Sequence, residues 1–397
     1  MVTFHKGIGT VENLNGARPV QTSDISTLGI VFTAPDADAS KFPLNEPIAL
    51  VGGVSVLEGM GSAGTGPDAF AQILAEGMGI SAVGVRVETE DNITDQIGLV
   101  VGDAGAQTGV HALKAAQSEL GLKPRILLAP GFTSQRLDNA RNPVVAKLLG
   151  IAEQRRAIVL ADGPNTTKEA AVEYRGDWGS SRIYMTDPGV KVRSGGQSVV
   201  RPASASVAGV ISRTDKKFGP HHSPSNQEFL GITGIARPID FADGDPDCEA
   251  DYLVKNQIAT IVRDGGFRLW GNETTWTEPL NKFLPVVRTH DIIMDSVAEA
   301  HRWARDKPFS AQVILDIAET VNGFLRAQKA KGWTIGYEVW IDPELNTATT
   351  WANGDLYVSY DSEAPAPLQR IIFQFNRNTD YYAELAKDAM SEVARLA

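Results

Sequence analysis

Cysteine is almost absent from this chain, which has 397 residues and a single thiol at Cys248. One thiol cannot form an internal disulfide, so the fold does not depend on an oxidising compartment. Long apolar runs are missing too, because stretches such as Ile48–Leu57 contain glycine and are too short to span a bilayer. The first seven residues lack the apolar core of a signal peptide. These absences predict a soluble cytoplasmic protein with no membrane insertion.

Basic residues are outnumbered, since 37 Lys and Arg stand against 48 Asp and Glu and give a net charge of −11. A chain this acidic is poorly suited to hold nucleic acid on a broad basic face, so no nucleic-acid partner is expected. The hydrophobic fraction of 43% and the charged fraction of 21% are those of ordinary globular proteins. They exclude a disordered chain, a collagen and a coiled coil. The length predicts two or three domains.

The order of helix and strand patterns predicts an α/β and α+β multidomain protein. Residues 1–22 read as an extended N-terminal arm, and 23–107 read as an α/β segment. From 108 to 235 strands alternate with single helices, which predicts a parallel sheet covered on both faces. Residues 236–362 read as a C-terminal α+β domain. The last part, 363–397, reads as a tether, a strand and a helix.

Both chain ends carry strand-like patterns outside any predicted domain. The apolar members of these patterns are Val2, Phe4 and Ile8 in the N-terminal arm, and Ile371, Phe373 and Phe375 near the C-terminus. An apolar strand on the proline-rich tether Glu363–Pro367 needs a partner sheet. The sequence leaves two alternatives open: each arm adds to a sheet of another copy, or each packs back onto its own chain.

Several helix starts can be placed by their capping residues. Thr166 and Glu169 fit a capping box, Thr289 and Ser310 fit the starts of two later helices, and Thr379 fits the start of a terminal helix. The terminal helix has an apolar stripe at helical spacing. The stripe consists of Tyr382, Leu385, Ala389, Val393 and Leu396.

The sharpest charge pattern is an acidic run in which carboxylates alternate with other residues. It consists of Asp243, Asp245, Asp247, Glu249 and Asp251. The pattern superficially resembles a calcium loop, but Cys248 and Val254 stand where that loop needs glycine and glutamate. If the run is a loop, its carboxylates lie on one side, where they are either solvated or matched by a basic partner surface.

The remaining candidates for chemistry are weak. The glycine-rich stretch Gly59–Gly66 lacks the lysine of a P-loop, and the adjacent pair His221-His222 cannot easily face one metal ion. His290 and His301 read as surface or interface residues. The turn Pro130–Ser134 is not a nucleophile elbow, and Cys248 within an acidic run is a poor nucleophile. We expect no catalytic residues, no bound metal and no cofactor.

Four stretches in a fixed order resemble the tail sheath proteins of contractile-tailed bacteriophages, in particular the P2-like group and the related R-type pyocins. They are Phe4–Ile8 with Thr33–Pro47, Leu122–Gly131, Arg263–Thr274 and Ala298–Pro308. The likeness covers nearly the whole chain. It implies a structural subunit of the contractile sleeve around a tail tube. It also implies a middle domain that is subtilisin-like in fold and lacks a recognisable Asp/His/Ser set, and a tube-facing C-terminal domain.

The resemblance implies several partners. Related sheaths stack homo-hexameric rings along a helix, bind the tail tube protein inside, start at the baseplate and end at a terminator protein. Their N- and C-terminal arms add strands to sheets of neighbouring subunits, which agrees with the orphan strands read from the residues. The expected location is the virion tail, after synthesis and assembly in the host cytoplasm. Two rival functions stay open: a serine hydrolase on the α/β domain, and a monomeric binding module.

Overall fold

The structure is a computed structural model and describes residues 25–77 and 79–396. It divides into two compact units, with the boundary between Ala366 and Pro367. We call the first unit the body and the second the C-terminal segment. The strand predicted from Val2, Phe4 and Ile8 lies outside the described residues and stays a prediction.

A six-stranded sheet forms the centre of the body. Its strands are β1 (Leu28–Thr33), β2 (Pro47–Gly52), β3 (Ile80–Val87), β4 (Ile126–Leu128), β5 (Ile158–Asp162) and β6 (Ile183–Thr186). The order across the sheet is β2-β3-β1-β4-β5-β6. Ile30 of β1 lies opposite Gly84 of β3 and Leu128 of β4, so β1 occupies the middle. The segment before residue 108 and the region after it therefore contribute to one sheet.

Helices cover both faces of this sheet. They are α1 (Thr65–Ala75), α2 (Ile93–Val101), α3 (Ala116–Leu120), α4 (Pro143–Arg155), α5 (Lys168–Gly176) and α6 (Ser204–Phe218). Helices α1 and α6 share a core with the sheet face that carries Ile30 and Phe32. Helices α2, α4 and α5 share a core with the opposite face, which carries Val31. Alternate residues of one strand thus enter two cores.

The prediction of a parallel sheet over 108–235, covered on both faces, is confirmed by β4, β5 and β6. Strands β1 and β3, which lie before residue 108, extend this sheet in parallel, and one further strand does not. Strand β2 runs antiparallel to β3 at the edge. The chain from Ala34 to Glu46 between β1 and β2 contains no helix. Parallel neighbours need a long crossover, usually helical, and this connection does not provide one.

Three smaller sheets complete the body. The strands are β7 (Val190–Ser194), β8 (Gln197–Arg201), β9 (Gly234–Ile235), β10 (Thr260–Arg263), β11 (Phe267–Trp270), β12 (Gly336–Trp340) and β13 (Ser359–Glu363). Strands β7 and β8 form a hairpin around Gly195-Gly196, with β9 on the other side of β7. Strands β10 and β11 pair antiparallel. Strands β12 and β13 also pair antiparallel.

The later helices of the body are α7 (Glu249–Lys255), α8 (Leu284–Ala300), α9 (Ala311–Ala330) and α10 (Ala348–Ala352). The start of α9 is confirmed, because the Ser310 hydroxyl accepts from the Val313 N–H. The start of α8 at Thr289 is wrong. The helix begins five residues earlier, at Leu284, because Pro285 with its fixed φ fits the first turn.

One further cap is corrected by one residue. Thr167, not Thr166, caps α5 by accepting from the Ala170 N–H at 3.1 Å. Before α3 the chain forms a 3₁₀ turn, Gly109–Lys114. Threonine side chains one position apart cannot be ranked as caps from sequence alone, because the local backbone path decides which hydroxyl reaches an N–H.

The C-terminal segment contains the helix α11 (Tyr381–Ala394), which confirms the predicted terminal helix. Asp380 occupies its N-cap position and forms no side-chain cap there, so the assignment of Thr379 is wrong. Residues 367–378 contain neither helix nor strand. A strand needs a partner for its ladder of hydrogen bonds, and the strand predicted over Ile371–Phe375 therefore stays a prediction.

Candidate assembly surfaces

Two open strand edges mark the C-terminal part of the body. Strands β12 and β13 form a sheet of two, and within the described ranges neither pairs with a third strand. One face of the sheet packs through Tyr337, Val339 and Tyr360 on a core from α8 and α9. A two-stranded sheet is marginal by itself, and each open edge presents unpaired N–H and C=O groups. The sheet can therefore accept one more strand on each side.

Exposed apolar side chains surround this sheet. Ile335, next to β12, is 64% exposed, and Trp340 on β12 is 41% exposed. Ile335 and Trp340 stand at the two ends of β12, so apolar surface is exposed at both ends of this strand. Sequence reasoning did not identify this set, since the alternation of β12 is that of any strand with one buried face.

An apolar groove runs beside the same sheet. It consists of two adjoining depressions of about 770 and 550 Å³ that share Phe309 and Ile314. We call it the α9 groove, because residues of α9 line both depressions. Its other apolar lining residues include Leu315, Ile317, Ile341, Trp351, Leu356 and Val358, and the larger depression is also lined by His301, Arg305, Asp306 and Lys307. Ile341 directly follows β12 and Val358 directly precedes β13, so the groove borders the sheet.

The C-terminal segment exposes the apolar residues that the sequence singled out. Phe373 is 90% and Phe375 87% exposed, and Ile371 is also exposed. The stripe of α11 is exposed as well, including Tyr382, Leu385 and Val393. An isolated helix of 14 residues is marginal in water, and this one buries none of its residues. The segment therefore carries apolar surface that needs a partner.

The acidic run is split between a loop and a helix. Asp243, Asp245 and Asp247 are exposed on the loop. Glu249 and Asp251 lie in the first turn of α7, where carboxylates favour the positive helix end. Glu249 pairs with Arg237, and so the interpretation of all five carboxylates as one face of a loop is wrong. Among residues 25–77 and 79–396, no group of histidine, cysteine and acidic residues is arranged to hold a metal.

A buried cluster of two hydroxyl groups and one carboxylate lies at the end of β5, where a serine hydrolase could carry catalytic residues. The Asp162 carboxylate accepts from the Ser204 hydroxyl at 2.7 Å and from the Thr133 hydroxyl at 3.0 Å. Burial raises the pKa of Asp162, against the hydrogen bonds from Ser204 and Thr133 that lower it. In the described part of the chain no histidine hydrogen-bonds to this cluster, so the cluster lacks the imidazole of a Ser/His/Asp set.

The histidines singled out by sequence take part in local packing. His221 packs near the Trp333 ring, and burial lowers the pKa of its imidazole. His222 stacks on Phe218 at 4.6 Å. His290 accepts from the Ala364 N–H at 3.2 Å, and His301 contacts the Val297 carbonyl. None of these contacts brings two of the imidazoles together with a carboxylate.

Helix α8 is held against the sheet by buried ion pairs on one face. Asp291 accepts from Arg182 at 2.6 and 3.0 Å, and Asp295 accepts from Arg156 at 2.6 Å. Asp295 also pairs with Lys123 and Arg125. These contacts join α8 to residues around β4, β5 and β6, so the large sheet and α8 form one connected structure.

Comparison with known proteins adds the deciding observation. Residues 105–275 match the phage tail sheath protein central domain, and residues 277–378 match the phage tail sheath C-terminal domain. The tail sheath protein of Escherichia phage P2 is 30% identical over 98% of this chain and all of its own length. The chain belongs to the phage tail sheath family. A Pseudomonas aeruginosa (strain UCBPP-PA14) protein named as a prophage major tail sheath protein is 36% identical over both full lengths.

Solved structures of sheaths share the fold. The helical sheath of the anti-feeding prophage in its contracted state matches with a TM-score of 0.72 and 19% identity, over 95% of this chain and all of that one. The contracted sheath complex of an extracellular contractile injection system gives a TM-score of 0.71 and 17% identity, over 96% and 99% of the two chains. None of the helices in the described part of this sheath protein is long and apolar enough to cross a membrane.

Proposed function

We propose that this sheath protein is the repeating subunit of a contractile sleeve that polymerises around a tail tube and then contracts to drive the tube through the host envelope. One observation carries the proposal: the chain has a two-stranded sheet with two open edges, and also apolar strand-like ends without a partner. The sheet β12–β13 has two edges and the chain has two arms, so each arm could take one edge of this sheet. Strands lent to neighbouring copies would leave none of them unpaired.

The C-terminal strand around Phe373 would extend β12–β13 of a neighbouring copy, and the N-terminal strand around Phe4 would extend the other edge. A six-residue strand adds several hydrogen bonds worth about 1 kcal/mol each. Burial of Ile371, Phe373 and Phe375 adds about 1.5–3 kcal/mol for each side chain. Such a link can hold while the bodies of two subunits slide past each other.

The hinge of the C-terminal link would be shorter than the sequence predicts. The expected tether was Glu363–Pro367, but Glu363 ends β13 and Ala364 is buried with its N–H bonded to His290. This leaves Pro365–Pro367 as the tether of the C-terminal link. Residues 13–23 would be the corresponding hinge of the N-terminal arm. Two prolines in three residues keep such a hinge extended.

Contraction needs no nucleotide on this proposal. The extended sleeve is metastable, and contraction docks rigid bodies into interfaces that bury more apolar area. A gain of only ~200 Å² per subunit corresponds to about 5 kcal/mol. Summed over many subunits the released free energy is large. The ion pairs that join α8 to the sheet support a body that moves as one piece.

The finer assignments are part of the same proposal. Subunits would form stacked rings of six, bind the tail tube protein through the C-terminal domain (236–362), start at the baseplate and end at a terminator protein. The exposed aspartates Asp243, Asp245 and Asp247 would contact a basic partner surface. The large sheet would be subtilisin-like in fold, which its parallel strands and two helical layers support. The subunit would have no enzymatic activity and no cofactor.

Truncation of the arms tests the proposal. A chain without residues 1–20, and another that ends at Pro367, should each keep a folded body and form no sleeves in negative-stain electron microscopy. The full chain should form rings or tubes as its concentration rises. Tubular polymers from either truncated chain would refute the strand exchange. Labelling by a fluorophosphonate probe would instead favour a serine hydrolase.

A further inference from the structure

We infer that the α9 groove is the seat for helix α11 of a second copy of this chain. The inference rests on the proposed strand exchange and specifies a second contact of the same link. It starts from two unpartnered apolar features of the described chain, the groove on the body and the stripe on α11.

Position along the chain favours this occupant. If the strand around Phe373 pairs with an edge of β12–β13, five residues separate Phe375 from the start of α11 at Tyr381. Five residues span at most roughly 16–18 Å. The helix must therefore lie close to the sheet that accepts the strand. The α9 groove borders that sheet at both strands, through Ile341 and Val358.

Shape and chemistry agree with a helix in a groove. Helix α11 has 14 residues and is about 21 Å long, with its apolar residues on one side. Tyr382, Leu385, Ala389 and Val393 follow spacings of three and four, which is the pattern of helices that bind in apolar grooves. The groove offers aromatic and branched side chains, with Trp351 stacked near Phe309 on its wall. Ser391 lies on the opposite, polar side of α11.

Cysteine cross-linking tests the contact, because the natural Cys248 is buried and does not compete. Subunits with Leu315→Cys are mixed with size-tagged subunits with Leu385→Cys, assembled and oxidised. Both residues are exposed, so neither change should disturb folding. We expect covalent dimers with one chain of each kind. The matched control replaces Leu385→Cys by Ser391→Cys on the polar side of α11, and should give no mixed dimer.

The outcomes separate this inference from the proposed function. Normal polymers without a 315–385 cross-link would overturn the helix seat and leave strand exchange standing. A cross-link within one chain of the double variant, at dilutions where no polymer forms, would assign the groove to the chain's own helix and also overturn it. No polymer from the unmodified chain would overturn both. A second readout is the concentration at which polymers appear, which Leu385→Asp should raise and Ser391→Asp should leave unchanged.

Discussion

Arg288 of α8 and Asp215 of α6 form a buried pair held by two hydrogen bonds. The Arg288 Nη1 donates to the Asp215 Oδ1 at 2.8 Å, and the second nitrogen donates to the other carboxylate oxygen. Their side chains are 4% and 2% exposed. The same guanidinium donates to the carbonyl of Ile25 at 3.1 Å. Ile25 is the first residue that the structure describes. One arginine therefore joins α8, α6 and the start of the body.

Removal of one partner of this pair should be costly. Asp215→Asn leaves the Arg288 charge buried without its counter-ion, and such a loss costs about 3–5 kcal/mol. Urea unfolding of the purified subunit should show this drop in the free energy of unfolding. The matched control is Glu299→Gln in the exposed pair with Arg302, 3.9 Å apart, where about 0–0.5 kcal/mol is expected. Equal effects of the two changes would contradict the role of burial.

Asp295 should give the protein a measurable loss of stability in acid. Burial raises the pKa of this carboxyl, but the hydrogen bond from Lys123 and the charge of Arg125 outweigh burial and leave the pKa lowered. Burial also lowers the pKa of Lys123, so the arginines carry the more secure positive charge at this site. The stability supplied by ionised Asp295 is present above the unfolded pKa of about 3.9 and is lost as the pH falls through the lower folded value.

The variant Asp295→Asn isolates this contribution. At neutral pH it should be less stable than the unmodified subunit by about 3–5 kcal/mol, since three cations lose their anion. Below pH ~4 the difference should shrink, because the unfolded chain then binds a proton at Asp295 while the native carboxyl, with its lower pKa, is still ionised. Urea unfolding at a series of pH values measures the difference. A gap of constant size down to the lowest pH would contradict the lowered pKa.

Gly209 should not tolerate even one methyl group. Helix α6 passes close to the end of α1 there, and a Cβ at residue 209 would lie 2.7 Å from Cγ and 2.9 Å from Cβ of Glu76. Glu76 is buried and bonded to Arg213 and to the N–H groups of Leu230 and Gly231, so it cannot move aside. Gly209→Ala should lower the free energy of unfolding by about 1–3 kcal/mol.

Gly150 in α4 is the control for Gly209. No atom would lie within 4 Å of a Cβ at this position, which is inside a helix as well. Gly150→Ala should therefore stabilise the protein by about 0.5–1 kcal/mol, through helix propensity alone. The two variants should shift the thermal midpoint in opposite directions. A stabilising Gly209→Ala would show that the contact between α1 and α6 can open.

Much of the fold could be predicted because its signals are local. The alternation of strands and helices over 108–235 predicted the parallel strands β4, β5 and β6, and Ser310 predicted the start of α9. The sequence could not reveal the antiparallel direction of β2, because direction depends on where the connecting loop leaves the sheet. Helix α7 was missed since its seven residues follow a loop-like run of Asp, Gly and Pro.

Only half of the assembly surfaces could be predicted from the sequence. The strand pattern of Ile371, Phe373 and Phe375 is visible in the sequence, because alternation outside a domain has no local explanation. The open edges of β12 and β13 are not visible there. Whether a strand has one neighbour or two depends on the rest of the chain, and the α9 groove joins residues from Phe309 to Val358. Such surfaces can be identified only from the three-dimensional structure.

Proline substitutions in the C-terminal segment separate strand exchange from folding. Phe373→Pro removes one N–H and fixes φ in the middle of the proposed strand, which a ladder does not tolerate. Phe373 is 90% exposed, so the free energy of unfolding of the body should not change. Tubes seen by electron microscopy should disappear or need a much higher subunit concentration.

The control is Leu368→Pro, a residue that is also exposed and that follows Pro367 directly. It lies before the proposed strand, where an extended proline-rich tether already exists, so tubes should form normally. Circular dichroism and urea unfolding of both variants check that the body is intact. If Phe373→Pro assembles as well as Leu368→Pro, no ladder forms through residue 373. The link between copies must then rest on side chains alone.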